Sequence, residues 1–341
     1  MTPDALPNAT LPAAARWSTP ISRIRLEGAD ARRFLHGQSS QAIELAPPGA
    51  CVATCLISPT ARMRALALAC IEESGIDLLV VAGEGGPVHQ ALDRVLFPAD
   101  RVRLGPPQPA TLVRWLGATP EAPEPSETAR LLRPGVDLGA GRHQPALLLV
   151  GSGSASGSPQ ADIHGYPEQE AFPHPLPAWL QTLPELTAEQ RERQRLRQGF
   201  PAAPGELNDS TNPFELGLAD WVSLSKGCYV GQETLAKLAT YDGVKQQLRH
   251  WRAPRTGPAA ADACAPGMPL HQTAGGRAGV ITSMLASADG LEGLALVRRS
   301  ALEDGELLAG EAGAGQIRLE ISIPAGFVEP PVGAGGEAGR G

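Results

Sequence analysis

The stretch that decides how this chain is read is Ser225-Lys226-Gly227-Cys228-Tyr229-Val230-Gly231-Gln232-Glu233. Two glycines bracket a Cys-Tyr pair, with a lysine two residues before the cysteine and an amide and an acid four and five residues after it. Beyond Gly231 the run QETLAKLAT is made of helix formers, with Leu235 and Leu238 at i, i+3 spacing, so a helix is expected to start there. Cys228 would then lie just ahead of a helix N-terminus and near an ammonium, both of which favour thiolate over thiol. The expectation is that Lys226 tunes the thiol, while Gln232 and Glu233 hold the loop through N–H groups at the helix end. A plainer reading of the same string is a glycine-kinked loop with its cysteine packed inside.

Lysine usage points to the same place. The 29 basic residues comprise 26 arginines and only three lysines, and Lys226, Lys237 and Lys245 fall within twenty consecutive positions. Lysine is a compact charge with an adjustable pKa, whereas arginine is a planar fork.

Working upstream, Thr187 and Gln190 form a capping box that should open an arginine-rich helix over 190–197. Residues 21–28 alternate as a strand, and Asp30 can cap a helix carrying Ala31, Phe34 and Leu35. Segments 51–57, 63–71 and 76–82 read as strands, a helix starts around Pro87, and 101–104 can return as a strand. This β-β-β-α-β run suggests a small α+β layer. From Arg103 to Leu180 glycine and proline dominate, including GSGSASGSPQ, which reads as loops and a flexible insert apart from a strand at 146–150. Downstream of Lys245, segments 247–252, 277–286, 293–298 and 316–323 read as the short strands of a small barrel, followed by a Gly/Pro-rich tail from Pro324.

Composition bounds the function. A chain of 341 residues is too long for one ordinary core. A formal charge of −7 and 4% aromatic residues argue against coating nucleic acid. No apolar run approaches the ~20 residues that cross a bilayer. The N-terminal stretch lacks the basic and apolar regions of a secretory signal, which leads to the expectation of a reducing cytoplasm. The five cysteines match no zinc spacing, and the seven histidines form no ligand pattern.

The string K-G-C-Y-x-G-Q-E resembles the signature of the YgfZ family, folate-binding relatives of the glycine-cleavage T-protein (aminomethyltransferase) that support iron–sulfur cluster assembly or repair. It matches at Lys226, Gly227, Cys228, Tyr229, Gly231, Gln232 and Glu233. The resemblance extends upstream through Arg195, Leu196, Gly199, Pro201, Gly205, Glu206 and Leu207 to Pro213 and Glu215. It includes Gly28 to Gln38 near the N-terminus and Gly279-Val280-Ile281-Thr282-Ser283 in the C-terminal part. Two departures stand out. Pro59-Thr60-Ala61-Arg62 replaces the usual P-K-G-R, with no acid near Leu66, and Arg197 occupies the position where aminomethyltransferases hold the pterin with a glutamate.

The resemblance implies an α+β fold of three small domains, two α+β layers and a C-terminal β-barrel, around a central opening. It implies a discontinuous folate-binding domain (1–48 with 181–244), an inserted α+β domain (49–150), a linker (151–180), a barrel (245–323) and a disordered tail (324–341). It further implies a tetrahydrofolate-binding accessory protein for iron–sulfur clients rather than a conventional enzyme. In this reading Cys228 and Lys226 are the reactive pair, and Gly227, Tyr229, Gly231, Gln232 and Glu233 form the loop. Arg195, Arg197, Glu206 and Trp221 would bind folate. Iron would touch Cys228 only transiently, with no stable metal, no nucleic acid and no membrane involved. The alternatives are a folate-dependent aminomethyl- or demethyltransferase, for which Glu206 or Asp209 would have to reach the opening, and a non-catalytic docking scaffold.

Overall fold

Apolar residues run almost without alternation along 63–71 and 76–82, which requires a sheet covered on both faces. The computed structural model describes residues 12–117, 129–136, 138, 146–150, 176–254, 258–311 and 315–333, and it meets that requirement. The N-terminal part contains β1 (Ala15–Glu27), α1 (Ala31–Gln38), β2 (Cys51–Ile57), β3 (Met63–Glu72), β4 (Gly75–Ala82), α2 (Gly85–Arg94), β5 (Arg103–Leu104), β6 (Gln108–Leu116), β7 (Ala129–Leu132) and β8 (Ala146–Val150). The path through the sheet is β2-β3-β4-β1-β6-β8-β7, with β5 paired to β1. On one face α1 and α2 bury Leu35, Val88 and Leu92 against Ile24, Leu78 and Val80. The other face, with Ile21, Leu68, Leu79 and Leu112, packs on the middle of the chain.

That middle part carries α3 (Ala178–Gln181), α4 (Ala188–Gln198) and α5 (Gln232–Thr240). The expected capping box is formed, with Gln190 N donating to Thr187 Oγ1 and Thr187 N to Gln190 Oε1. The C-terminal part adds β9 (Gln246–Ala253), α6 (Pro258–Ala263), β10 (Pro269–His271), β11 (Arg277–Ser287), β12 (Gly290–Arg298), β13 (Glu306–Ala309) and β14 (Ile317–Ser322). Six of these strands close a barrel in the order β10-β11-β12-β9-β14-β13, filled by Trp251, Ile281, Leu307 and Leu319. The α+β class and the C-terminal barrel are as expected.

Three boundaries are drawn differently. β1 lies between β4 and β6, pairing Ser22–Glu27 with one and Ala15–Arg23 with the other, so residues 1–48 do not separate from an inserted 49–150 unit. β6 lies inside the window read as loops: Leu112, Val113 and Trp115 are buried, though the glycine and proline around them hide the strand in the average composition. The expected tail is packed from Pro324 to Glu329. Ala325 N and Gly326 N donate to Arg197 O and Gln198 O, Val328 N donates to Gly217 O, and Phe327 packs against the central core. Of the expected linker, Leu176 and Leu180 are buried against Trp115, while 151–175 lie outside the described residues, as do 334–341 of the tail.

Candidate functional site

The signature loop closes over the end of α1. That end leaves carbonyls without intrahelical partners, and the Lys226 ammonium takes up three there: Ser39 O at 2.7 Å, Gln41 O at 2.9 Å and His36 O. Its Nζ also stands 4.5 Å from the centroid of the Tyr229 ring. Burial lowers the Lys226 pKa to about 7, while the carbonyls and the ring face favour the protonated form. The loop is tied down elsewhere by Val230 N to Gly37 O, Ser223 N to Ser40 O, Tyr229 Oη to Ser223 O and Ser40 Oγ to Trp221 O. Gly231, at φ 82°, starts α5 where a Cβ would meet Ile57 Cδ1 and Ser58 O at 2.8 Å, so only glycine fits against the β2–β3 turn.

These contacts correct the assigned roles. Lys226 serves carbonyls in the last turn of α1 and just beyond it rather than the thiol. Gln232 does hold the loop, through its backbone N–H at the start of α5 to Tyr229 O and through its side-chain amide to Lys226 O, both at 3.2 Å. Glu233 is exposed and pairs with Lys237 one turn on. Cys228 is exposed, so the loop does not pack its cysteine inside. Next to Gly227, the His36 imidazole accepts Ile43 N and Glu44 N at Nδ1, and burial and the Lys226 charge hold its pKa below the usual histidine range.

A cavity of about 710 Å³ lies elsewhere, between the sheet and α4. Its wall includes Trp17 and Ile21 of β1, Arg114 of β6, one face of α4 (Arg191, Glu192, Arg195) and the segment from Phe200 to Pro204. The Arg114 guanidinium stacks on Phe200 at 5.5 Å, and Phe200 leans on Trp221 at 6.5 Å. Arg195 binds Glu192 bidentately at 2.7 and 2.8 Å and bonds Phe200 O, Ser283 Oγ and Glu206. Glu206 is fully buried and also accepts Ala202 N and Ser283 Oγ, pinning this wall to the barrel. Gly205 enables that contact, because a Cβ there would stand 2.7 Å from Thr282 O.

Of the four residues expected to bind folate, only Arg195 faces this cavity. Arg197 turns to Glu292 of β12, Glu206 is used up behind the wall, and Trp221 is core behind Phe200. Asp209 is exposed and pairs with Arg64. None of Lys226, Cys228 and Gln232 lines the cavity. The sequence reading missed Trp17, Arg114, Arg191, Glu192 and Phe200. The i, i+1, i+4 spacing of Arg191, Glu192 and Arg195 on a capped helix was the available signal, whereas nothing local marks Arg114.

The donor set fits a reduced folate. Trp17, Ile21 and Phe200 offer apolar and aromatic surface to a flat ring, and Arg114 and Arg191 are forks suited to an anionic tail. Both Glu192 oxygens are bonded to Arg195, which holds this carboxylate in place on the cavity wall. Among the described residues no three His, Cys, Asp or Glu side chains converge as a metal site, and no helix is long and apolar enough to cross a membrane.

No family model matches the chain. It is 32% identical over 239 residues to an Arabidopsis thaliana protein carrying the name "Putative transferase At1g60990, chloroplastic", an alignment covering 67% of this chain and 53% of that protein. The chain thus spans about half the length of the curated relative it matches. Among solved structures it is similar to the glycine cleavage system aminomethyltransferase T from Bartonella henselae, with a TM-score of 0.67 and 18% identity over 93% of this chain and 88% of that one. The fold is therefore that of aminomethyltransferase T.

Proposed function

We propose that this chain is a tetrahydrofolate-binding accessory protein that supports assembly or repair of iron–sulfur clusters in client proteins, working in the reducing cytoplasm. The observation that carries this reading is the division of the molecule into an arginine-lined aromatic cavity and, apart from it, a rigidly held loop presenting Cys228. In the cavity Phe200 and Trp17 would hold the pterin, Glu192 would face it from α4, and Arg114 and Arg191 would hold the glutamate carboxylates. Bound tetrahydrofolate would supply a one-carbon carrier. At the loop, Lys226 fixes the backbone so that Cys228 faces a partner. A single exposed thiol cannot complete a cluster's ligand set, so iron or cluster is cargo touched in passing.

The aminomethyltransferase T fold favours a second reading, a folate-dependent aminomethyl- or demethyltransferase. Among the described residues the carboxylates in the cavity wall that could serve it are Glu192 of α4 and Glu84, since Glu206 and Asp209 point elsewhere. A docking scaffold without a ligand agrees with the exposure of Cys228 but gives the cavity no role. The cellular test compares strains carrying Cys228→Ala and Arg191→Glu. Both are expected to lose iron–sulfur enzyme activity under oxidative stress, and full activity in the Cys228→Ala strain would contradict the role of the thiol.

A further inference from the structure

Away from both regions, a pair of thiols sits on the edge of the sheet. Cys51, the first residue of the edge strand β2, lies directly opposite Cys70 of β3, and their Sγ atoms are 3.5 Å apart. The neighbouring register shows which kind of pair this is. Ile71 N donates to Ala50 O at 2.8 Å, which makes 50/71 the hydrogen-bonded position and 51/70 the non-hydrogen-bonded one. At such positions the Cα atoms of an antiparallel pair stand about 4.5 Å apart, inside the range of ~4.4–6.8 Å that a disulfide spans. Side-chain rotation is enough to join them.

The two thiols are also unlike each other. Cys51 is half-buried and reachable from solvent, whereas Cys70 is buried. The hydrogen bond with Cys51 and burial push the Cys70 thiol up, against the pull of Arg130. Cys70 therefore stays protonated until its neighbour is oxidised, the division of labour between an attacking and a resolving cysteine.

We propose that Cys51 and Cys70 are an oxidative modification site whose co-substrate is a hydroperoxide. The Cys51 thiolate attacks the peroxide O–O bond, forming a sulfenic acid and releasing hydroxide or alkoxide. The Cys70 sulfur then attacks the Cys51 sulfur, and the sulfenic oxygen leaves as water with the Cys70 proton. In sum, two thiols and one peroxide give one disulfide and two waters, or a water and an alcohol. A small dithiol reverses the step by exchange. The bond would fasten β2 at one end, while its other end, through Ile57 and Ser58, holds Gly231 of the signature loop. Nothing in this depends on folate or on the role of Cys228.

The test uses the full chain carrying Cys228→Ser, which removes the competing exposed thiol, treated with equimolar hydrogen peroxide, alkylated and digested without reductant. The expected result is a chain that has lost two hydrogens, with the peptide holding Cys51 linked to the peptide holding Cys70 and the link cleaved by dithiothreitol. Adding Cys55→Ala should keep the link, because the same tryptic peptide carries Cys51 and Cys55. Adding Cys70→Ala should abolish it and leave Cys51 as a sulfenic acid trapped by dimedone. Recovery of both residues as alkylated thiols, or a link that survives Cys51→Ala, would overturn the proposal.

Discussion

At Lys226 a single side chain holds the signature loop to a helix far from it in sequence. The three carbonyls it serves belong to residues 185 to 190 positions away. Replacing it with methionine keeps an unbranched apolar stem, removes the ammonium over Tyr229 and leaves those carbonyls without it, which is expected to cost about 1–3 kcal/mol. Cys228→Ala removes an exposed thiol and should stay within about 0.5 kcal/mol of the parent. Urea midpoints of the two variants check this directly: a Lys226→Met protein as stable as the parent would mean that the carbonyl cage does not hold the loop. The contrast separates a residue that positions from one that is presented, although both sit in one signature.

At the scale of elements, α4 joins two regions through opposite faces. One face puts Arg191, Glu192 and Arg195 on the cavity, and the other packs Arg193 and Arg197 on Glu292 of β12. Burial raises the Glu292 pKa, but hydrogen bonds from His250 and Arg193 and the charge of Arg197 outweigh it and leave the carboxyl at about 2. A carboxyl held below its ordinary value stabilises the fold above that value and loses the contribution as pH falls toward the folded one. Glu292→Gln should therefore be less stable than the parent near neutrality, and the gap should narrow as pH falls from about 5 to 3. A gap that is constant across that range in denaturant titrations would contradict the ion cluster. The capping box of α4 was legible from Thr187 and Gln190 because it is local, but which face of the helix meets what was not. Arg197 was read toward a ligand by position in a motif, and the strand that claims it lies 95 residues on. β6 was hidden for a different reason: composition averaged over a glycine- and proline-rich window cannot show one buried strand inside it.

For the whole molecule, the barrel is fastened to the middle part of the chain. Glu206 and Arg195 reach Ser283, Arg193 and Arg197 reach Glu292, and the segment after β14 crosses back to bond Arg197 O, Gln198 O and Gly217 O and to lay Phe327 against the central core. Phe327→Ala should cost about 1–2 kcal/mol by the apolar surface it uncovers, seen as a lower denaturant midpoint, and an unchanged midpoint would show that this strap is not part of the core. The layout leaves a cavity backed by a braced wall and a loop anchored independently, so ligand binding and thiol presentation can be disturbed one at a time. The central claim is that the cavity takes a reduced folate, and thermal unfolding with tetrahydrofolate tests it most directly. A ligand held at 100 times its Kd adds about 2.7 kcal/mol to stability, so the parent and Cys228→Ala proteins should both gain several degrees in Tm. Phe200→Ala and Arg191→Glu should gain little. A parent protein whose Tm does not move with tetrahydrofolate would contradict the account.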